Sequence, residues 1–513
     1  MKASDLVRNT AVVGALTMGS RVLGLVREML QSRLIGAGVE QSAFVLAFAI
    51  PNMARKLFGE GALTAAFVPV FRWEVERGDE ESARRLARAV MTLVMLILGS
   101  VVILTVASLT LVLNLQPSTL CLSPRTRLTL QLVRILFPYM IFICGAAFGM
   151  GVLNALGRFV AGAFMPAMLN LVWIAALAGL CFFPDLSLRT RVAAVCWAIL
   201  LGGAAQMLFL FRCMARRGYA FRFRLSGLLD GKARLVWVNT GIAALGAGAI
   251  QVNYALDQVL AQCAAPWAAG VIGYAERLMD LPLGVIGVAF GTVLLPTFAG
   301  HFAKGDLAGA RTVLASALCN MMFVMLPAAA GLCVLAPEVT AVIYEGGSFD
   351  ATATLRVSRA LAVYSVGLGL FGVQKALVPW FQGQNDMKTP LRVSVCTVVA
   401  NAALNVLAVV LLPQEARHVG LAASTVLCAL FGCILLIALG RRRNGSMGLR
   451  SVCGYVSRTL LAALAMAGIL VLVRPCLAGW SRVPALASLV MLGAGAYALL
   501  TLALGVFRLP RRH

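Results

Sequence analysis

Histidine is nearly missing from this 513-residue sequence: His301, His418 and His513 lie far apart and outside the centres of the apolar runs. Histidine-based catalysis and histidine-ligated metal chemistry therefore have little to work with. Charge is scarce too, at 12% of residues against 61% hydrophobic and a mean hydropathy of +0.90. That excludes a soluble globule of ordinary composition. Acidic residues are the scarcest charges, 20 against 44 lysines and arginines, for a net charge of +24. The excess is not the footprint of a nucleic-acid binder, because the cations fall in short clusters between apolar segments and not along one solvated face. The bias of cytoplasmic membrane loops toward Lys and Arg explains it, and no nucleic-acid partner is expected. The thirteen cysteines contain no CxxC pair and no regular spacing, so they read as small buried hydrophobes and not as a disulfide framework or metal site. No cleavable signal peptide is expected, since the first apolar run carries Arg21 and Arg27 and leads straight into further structure.

What is present is a succession of apolar runs of spanning length. They fall near 8–35, 41–71, 84–115, 128–155, 159–183, 192–213, 234–264, 270–300, 308–344, 353–382, 388–412, 419–440, 451–473 and 484–507, which makes fourteen. The fold class expected is an all-α polytopic membrane protein with an even number of passes and both termini on one side. Basic loops at Arg212 to Arg234 and Arg441 to Arg450, with the tail Arg508, Arg511 and Arg512, make that side cytoplasmic. Arg125, Arg127, Arg189 and Arg191 on the opposite face dilute the contrast. AFAIPNMARKLFGEGALTAAFVPVF, ending at Phe71, has a counterpart in GYAERLMDLPLGVIGVAFGTVLLPTF, ending at Phe298. Each runs from a charged patch beside a proline to a Pro-hydrophobic exit at Pro69 or Pro296. Two parallel six-helix lobes are one explanation and chance likeness of Gly- and Ala-rich helices is the other. The lobe reading divides the chain into 1–225, 226–445 and a C-terminal helix pair, 446–513.

The unusual charges sit inside these runs. Arg21, Arg27, Arg33, Arg55 and Lys56, with Glu28 and Glu60, interrupt two segments that are otherwise apolar and helix-forming. An ionisable residue at membrane depth costs several kcal/mol unless it meets a partner or water, so each is a candidate functional residue. Arg21, Gly24 and Arg27 are offset by steps of about 60° around one helix, which puts a residue without a side chain between two guanidinium groups. Asn52, Arg55 and Lys56 share a face just after Pro51. In the eighth segment Arg277 precedes Asp280 by three residues. That spacing fits either a self-neutralised pair or a cation serving a cavity. Arginines bind phosphate bidentately and do not deprotonate, so three or four of them suit a diphosphate better than a proton or a neutral drug. Asp257, deep in AIQVNYALDQVL, is a lone carboxylate that must be protonated, paired or metal-bound. Asp386, in FQGQNDMKTP, reads as a helix-entry cap or as a second oxygen ligand for a small cation. Such a site would couple transport to an ion gradient. The loop RWEVERGDEESARRLAR reads as a solvated, i,i+4-paired helix end.

At SRVLGLVRE, AFAIPNMARKLFGEGALTAAFVP, YAERLMDLPLGVIGVAFGTVLLP and FQGQNDMKTP, from about Leu6 to about Arg441, the chain resembles the MurJ/MviN family of lipid II flippases. The resemblance implies the exporter superfamily fold: fourteen helices, two six-helix lobes around a cationic cavity, and a last helix pair beside a groove for a lipid tail. It also implies that Arg21, Arg27, Arg55 and Arg277 are cavity arginines, with Asn52 beside them and Asp280 as the accompanying acid. A cation site at Asp257 and Asp386 is implied as in some members. Ser42 stands where many members carry an aspartate, so Glu40 or Glu28 substitutes for it or gating does without it. The function expected is alternating-access flipping of lipid II, the undecaprenyl diphosphate-linked disaccharide-peptide, across the bacterial inner membrane. No cofactor and no enzyme chemistry are expected; a monovalent cation or the membrane potential would supply the energy. A cation-coupled exporter of drugs or of other polysaccharide lipids is the alternative. A membrane glycosyl- or phosphotransferase would need an acidic metal cluster or a catalytic region outside the membrane, and the sequence has neither.

Overall fold

The computed structural model describes residues 3–56, 63–115, 123–228, 230–477 and 479–506. Glu60, the tail arginines Arg508, Arg511 and Arg512, and His513 lie outside the described residues. The chain divides into two compact units, one running up to Val259 and including Gly346–Phe349, the other holding the remainder.

The first unit contains α1 (Ala3–Ile35), α2 (Val39–Ala54), α3 (Leu63–Glu76), α4 (Glu80–Asn114), α5 (Pro124–Leu136), α6 (Tyr139–Ala155), α7 (Phe159–Leu180), α8 (Leu188–Ala215) and most of α9 (Gly231–Ala264). Helix starts follow local chemistry: Asp79, Ser123 and Ser187 accept from Ser82 N, Thr126 N and Thr190 N at 2.8, 3.1 and 3.2 Å. Each satisfies an amide that has no partner inside the helix. α1 lies along α7, and α6 along α8, over a core that includes Phe44, Phe67, Tyr139, Phe148 and Trp173. The segment Gly346–Phe349 sits on the end of α1, with Ser348 N donating to Arg33 O at 2.8 Å. Glycine is required at this contact: Gly347 has φ +56°, and a Cβ there would meet Arg33 O at 2.3 Å.

The second unit contains α10 (Ala268–Ala303), α11 (Leu307–Val334), α12 (Ala336–Tyr344), α13 (Ala351–Gln382), α14 (Lys388–Leu411), α15 (Gln414–Asn444), α16 (Leu449–Val473) and α17 (Arg482–Ala503). α13 is central, packing on α10, α11 and α15, and it buries Tyr364, Leu368, Trp380 and Phe381. α16 and α17 rest on α11 and α12 through Met466, Leu470, Leu489 and Tyr497, whose hydroxyl donates to Phe323 O at 2.7 Å. Leu461, Leu472, Met491 and Leu499 of that pair are exposed, the surface a helix presents to lipid.

Three of the expected passes are each made of two helices: α2 with α3, α5 with α6, and α11 with α12. Pro138 and Pro337 lie at the second and third junctions, where a residue without an amide proton interrupts the helical ladder. The fourteen-pass, all-helical architecture is therefore met by more helices than passes. Among the described residues ten helical segments are long and apolar enough to cross a membrane. The expected passes outside those ten are α1, α2 with α3, α9 and α10, the ones that carry Arg21, Arg27, Arg55, Asp257 and Arg277. α1, α9 and α10 have 33, 34 and 36 residues, ample length for a bilayer at 1.5 Å per residue.

Candidate functional site

In the first unit the site grows from the contact of α1 with α7. The Arg27 guanidinium donates through Nη1 to Asn170 Oδ1 at 2.9 Å, and through Nη2 to the Glu28 carboxylate. Its carbon lies 4.3 Å from the centroid of the Trp173 ring. Asn170 and Trp173 are i and i+3 on α7, so one face of that helix offers an acceptor and an aromatic plate to one cation. Asn170 is itself fixed, since its Nδ2 donates to Ser20 O at 3.0 Å. Trp173 in turn packs edge-on against Phe44 and Phe48 of α2, both at 5.8 Å between centroids. The Arg27 Nε is buried without a hydrogen-bond partner. Neutralised by Glu28, stacked on an indole and hydrogen-bonded, this cation carries its own supports into an apolar helix.

The space beside Gly24, between Arg21 and Arg27, is not open: a Cβ there would be in ordinary contact with Asn170 Nδ2 at 3.7 Å. Arg21 is half-buried on the same helix. On α2, Pro51 is followed by a widened π-type turn at Arg55 and Lys56, a distortion that recurs at functional sites. Asn52 is not a free ligand here. Its Oδ1 accepts from both Nε and Nη2 of Arg55 at 3.1 and 3.0 Å, and so aims the guanidinium. Lys56 Nζ lies 5.0 Å from the Tyr254 ring of α9. Ser42, at the position where the resemblance implies an acid, is fully buried. Glu28, one of the two carboxylates named as substitutes, is the one that meets a site arginine. One turn along α9 from Asn253, Asp257 is half-buried and accepts from Asn253 Nδ2 at 3.3 Å.

In the second unit, α10 presents Arg277 and Asp280 on its exposed face while Tyr274, Ala275 and Leu278 are buried. Glu276 is half-buried and accepts from Tyr364 Oη at 3.4 Å. Asp386 is engaged at the start of α14. It accepts from Lys388 N at 3.1 Å, Thr389 N at 3.0 Å and Thr389 Oγ1 at 2.6 Å, and it pairs with Arg443. Burial raises its pKa, but the Thr389 hydrogen bonds and the Arg443 charge outweigh that and hold the carboxyl below the usual carboxylate range. The amide contacts to Lys388 and Thr389 are those of the helix-entry reading of Asp386. No cluster of three or more His, Cys, Asp or Glu able to hold a metal occurs among the described residues.

Two corrections concern what the sequence could not place. The charged stretch RWEVERGDEESARRLAR is the end of α3 and the start of α4, solvated and i,i+4-paired at Arg72 with Glu76 and Arg84 with Glu80, yet Glu74 within it is fully buried and bound by Lys232 Nζ at 2.7 Å. Asn170 and Trp173 were missed altogether. The signal available was an amide inside the apolar run FVAGAFMPAMLNLVWIAALAGL with an indole one turn later.

Comparison with known proteins shows the family. The family model described as "Lipid II flippase MurJ" matches residues 31–491. The "Probable lipid II flippase MurJ" of Rhizobium tropici is 31% identical over 469 residues, covering 91% of this chain and 87% of that protein. The protein so described from Vibrio cholerae serotype O1 is 31% identical over 523 residues, covering 98% and 96%. A solved structure of "Lipid II flippase MurJ, inward closed conformation" superposes with a TM-score of 0.77 at 20% identity, covering 96% of this chain and 98% of that one.

Proposed function

The chain belongs to the MurJ family of lipid II flippases, and from that membership we infer that it moves lipid II across a membrane by alternating access. It is a multi-pass transporter. The protein's task is to lower the barrier to carrying a charged headgroup through hydrocarbon, which requires no covalent step. The observation that carries the mechanism is the Arg27 guanidinium in α1, fixed by Asn170, Trp173 and Glu28. A planar fork oriented beforehand loses little freedom when it meets a diphosphate. Glu28 holds the cation until a more highly charged anion replaces it. Arg55, aimed by Asn52, is a second diphosphate ligand, and Arg21 and Arg277 are the third and fourth, with Asp280 tuning Arg277. The sugars and peptide travel in water while the polyprenyl tail stays in lipid.

The membrane is the bacterial inner membrane, with both termini cytoplasmic, because the basic loops at Arg212 to Arg234 and Arg441 to Arg450 then face inward. The lobes follow the chain order 1–225, 226–445 and 446–513. No organic cofactor takes part; a monovalent cation at Asp257 or the membrane potential supplies the energy. Asp257→Asn should abolish the dependence of transport on that ion or on potential while leaving lipid II binding intact; unchanged dependence removes Asp257 from the coupling.

Reconstitution tests the whole reading. In liposomes loaded with lipid II, the wild-type chain should make headgroups accessible on the opposite leaflet. Arg21→Ala, Arg27→Ala, Arg55→Ala and Arg277→Ala should each abolish this with the protein still inserted and folded. At least two of the corresponding Lys variants should also be severely impaired, since an ammonium has the charge without the fork. Near-normal flipping by the Ala series would overturn the diphosphate grip.

A further inference from the structure

On the basic-loop end of the first unit, away from Arg27 and Arg55 along the chain, a cavity of about 410 Å³ opens between the start of α4 and the segment joining α8 to α9. Its volume lies in the range of small-ligand sites. Arg85, Arg224 and Lys232 line it together with the hydroxyl residues Ser82 and Ser226, against one carboxylate, Asp230. We propose that this cavity is a second anion site, which takes a phosphate group distinct from the diphosphate of the transported lipid.

Three features support it. First, two of the cations are already held. Lys232 Nζ is fixed by Glu74 at 2.7 Å and Ser82 Oγ at 3.0 Å, and Arg224 Nε donates to Ser226 O and Oγ, both at 3.2 Å. An anion entering there finds its donors in place and loses less to side-chain ordering. Second, Arg85 is only loosely matched with Glu81, at 3.9 Å with both side chains more than half exposed, so its guanidinium is available to a better partner. Third, Arg212, Arg216, Arg217, Arg222 and Arg234 surround the site in sequence and raise the local positive potential, which draws anions of any source. The phosphate has two possible carriers. Phe223 and Leu225 beside the cavity are 64% and 72% exposed, the kind of flank a phospholipid headgroup would have, while a free phosphate would need only the polar lining. An occupant would tie the first turn of α9 to α4 and so act on the segment that links the two halves of the chain.

The test uses the purified full-length chain in neutral detergent, where both faces are accessible and membrane orientation plays no part. Inorganic phosphate is titrated by calorimetry against the wild type, Arg27→Ala, the double variant Arg85→Ala with Arg224→Ala, and Arg85→Glu alone. Phosphate should bind the wild type and Arg27→Ala alike and bind the double variant at least roughly tenfold more weakly, as expected for loss of charge-assisted bonds. Arg85→Glu alters an already solvated side chain, so it should remain folded and show the same weakening. A second arm adds phosphatidylglycerol to the micelles. Displacement of inorganic phosphate assigns the site to a lipid headgroup, and its absence assigns it to a soluble phosphate. Phosphate binding that is missing from the wild type, or lost in Arg27→Ala and unchanged in both Arg85 variants, overturns the second site; the latter result leaves the translocation mechanism standing.

Discussion

Arg27 and its neighbours illustrate how a membrane helix keeps a charge. An arginine at mid-bilayer is penalised by about 2.5–3.5 kcal/mol on insertion scales, and here α7 supplies much of the compensation. The Trp173 face is the part most easily tested. Trp173→Leu keeps an apolar side chain but removes the π surface, and a cation–π contact is worth about 0.5–2 kcal/mol. Lipid II affinity should fall by up to about thirtyfold in Trp173→Leu and be restored largely by Trp173→Phe. In an Arg27→Ala background the same change should have no effect. An equal loss in both backgrounds would mean that Trp173 acts through the packing of Phe44 and Phe48 instead. The cation was legible as a charge in an apolar run. Its supports were not, because Asn170 lies 143 residues away and an isolated amide in a helix has several possible uses.

At the scale of elements, helix starts follow local chemistry that the sequence carries. Asp79, Ser123, Ser187, Asp306 and Asp350 all accept from an amide three residues on, as their position before an apolar run suggests. Asp386 adds a tertiary ion pair with Arg443 to its two α14 amides. Asp386→Ala should cost about 1–2 kcal/mol, while Asp386→Asn, which still accepts from the amides, should cost less. Because the folded carboxyl has its pKa lowered, its contribution is present above the unfolded value near 3.9 and is lost as pH falls through the lower folded value. Thermal unfolding of the detergent-solubilised protein should therefore separate wild type and Asp386→Ala at pH 7 and bring them together at the acid end. A gap that persists unchanged there would rule out the charge as its source. Phe71 and Phe298, each two residues after a proline, are both fully buried, against Tyr219 and Trp380.

For the whole molecule, two of the four arginines that blurred the charge asymmetry, Arg127 and Arg191, have structural work. Arg127 Nη2 donates to Leu113 O near the end of α4, and Arg191 Nη1 to Leu34 O near the end of α1, both at 3.1 Å. A cation at a helix C-terminus satisfies carbonyls and the dipole together, so these residues bear less on orientation than free loop charges do. Setting them aside sharpens the positive-inside reading. Reporter fusions after Arg217 and Ser446 should register cytoplasm, and one after Asp185 the opposite side. A cytoplasmic Asp185 would invert the topology.

The number of passes, the all-helical class, the family and the identity of the cations were determined by the sequence itself. The family follows from the likeness of its motifs, while the others depend on local composition: apolar length against bilayer thickness, and charge against apolar surroundings. Tertiary structure alone decided that Asn52 serves Arg55, that Glu28 and α7 hold Arg27, and that Glu74, in the charged last turn of α3, is buried against Lys232. The reason is physical. Whether a polar side chain serves a ligand, a neighbour or water depends on which distant groups reach it within about 3 Å, and helix periodicity specifies a face without specifying what packs there.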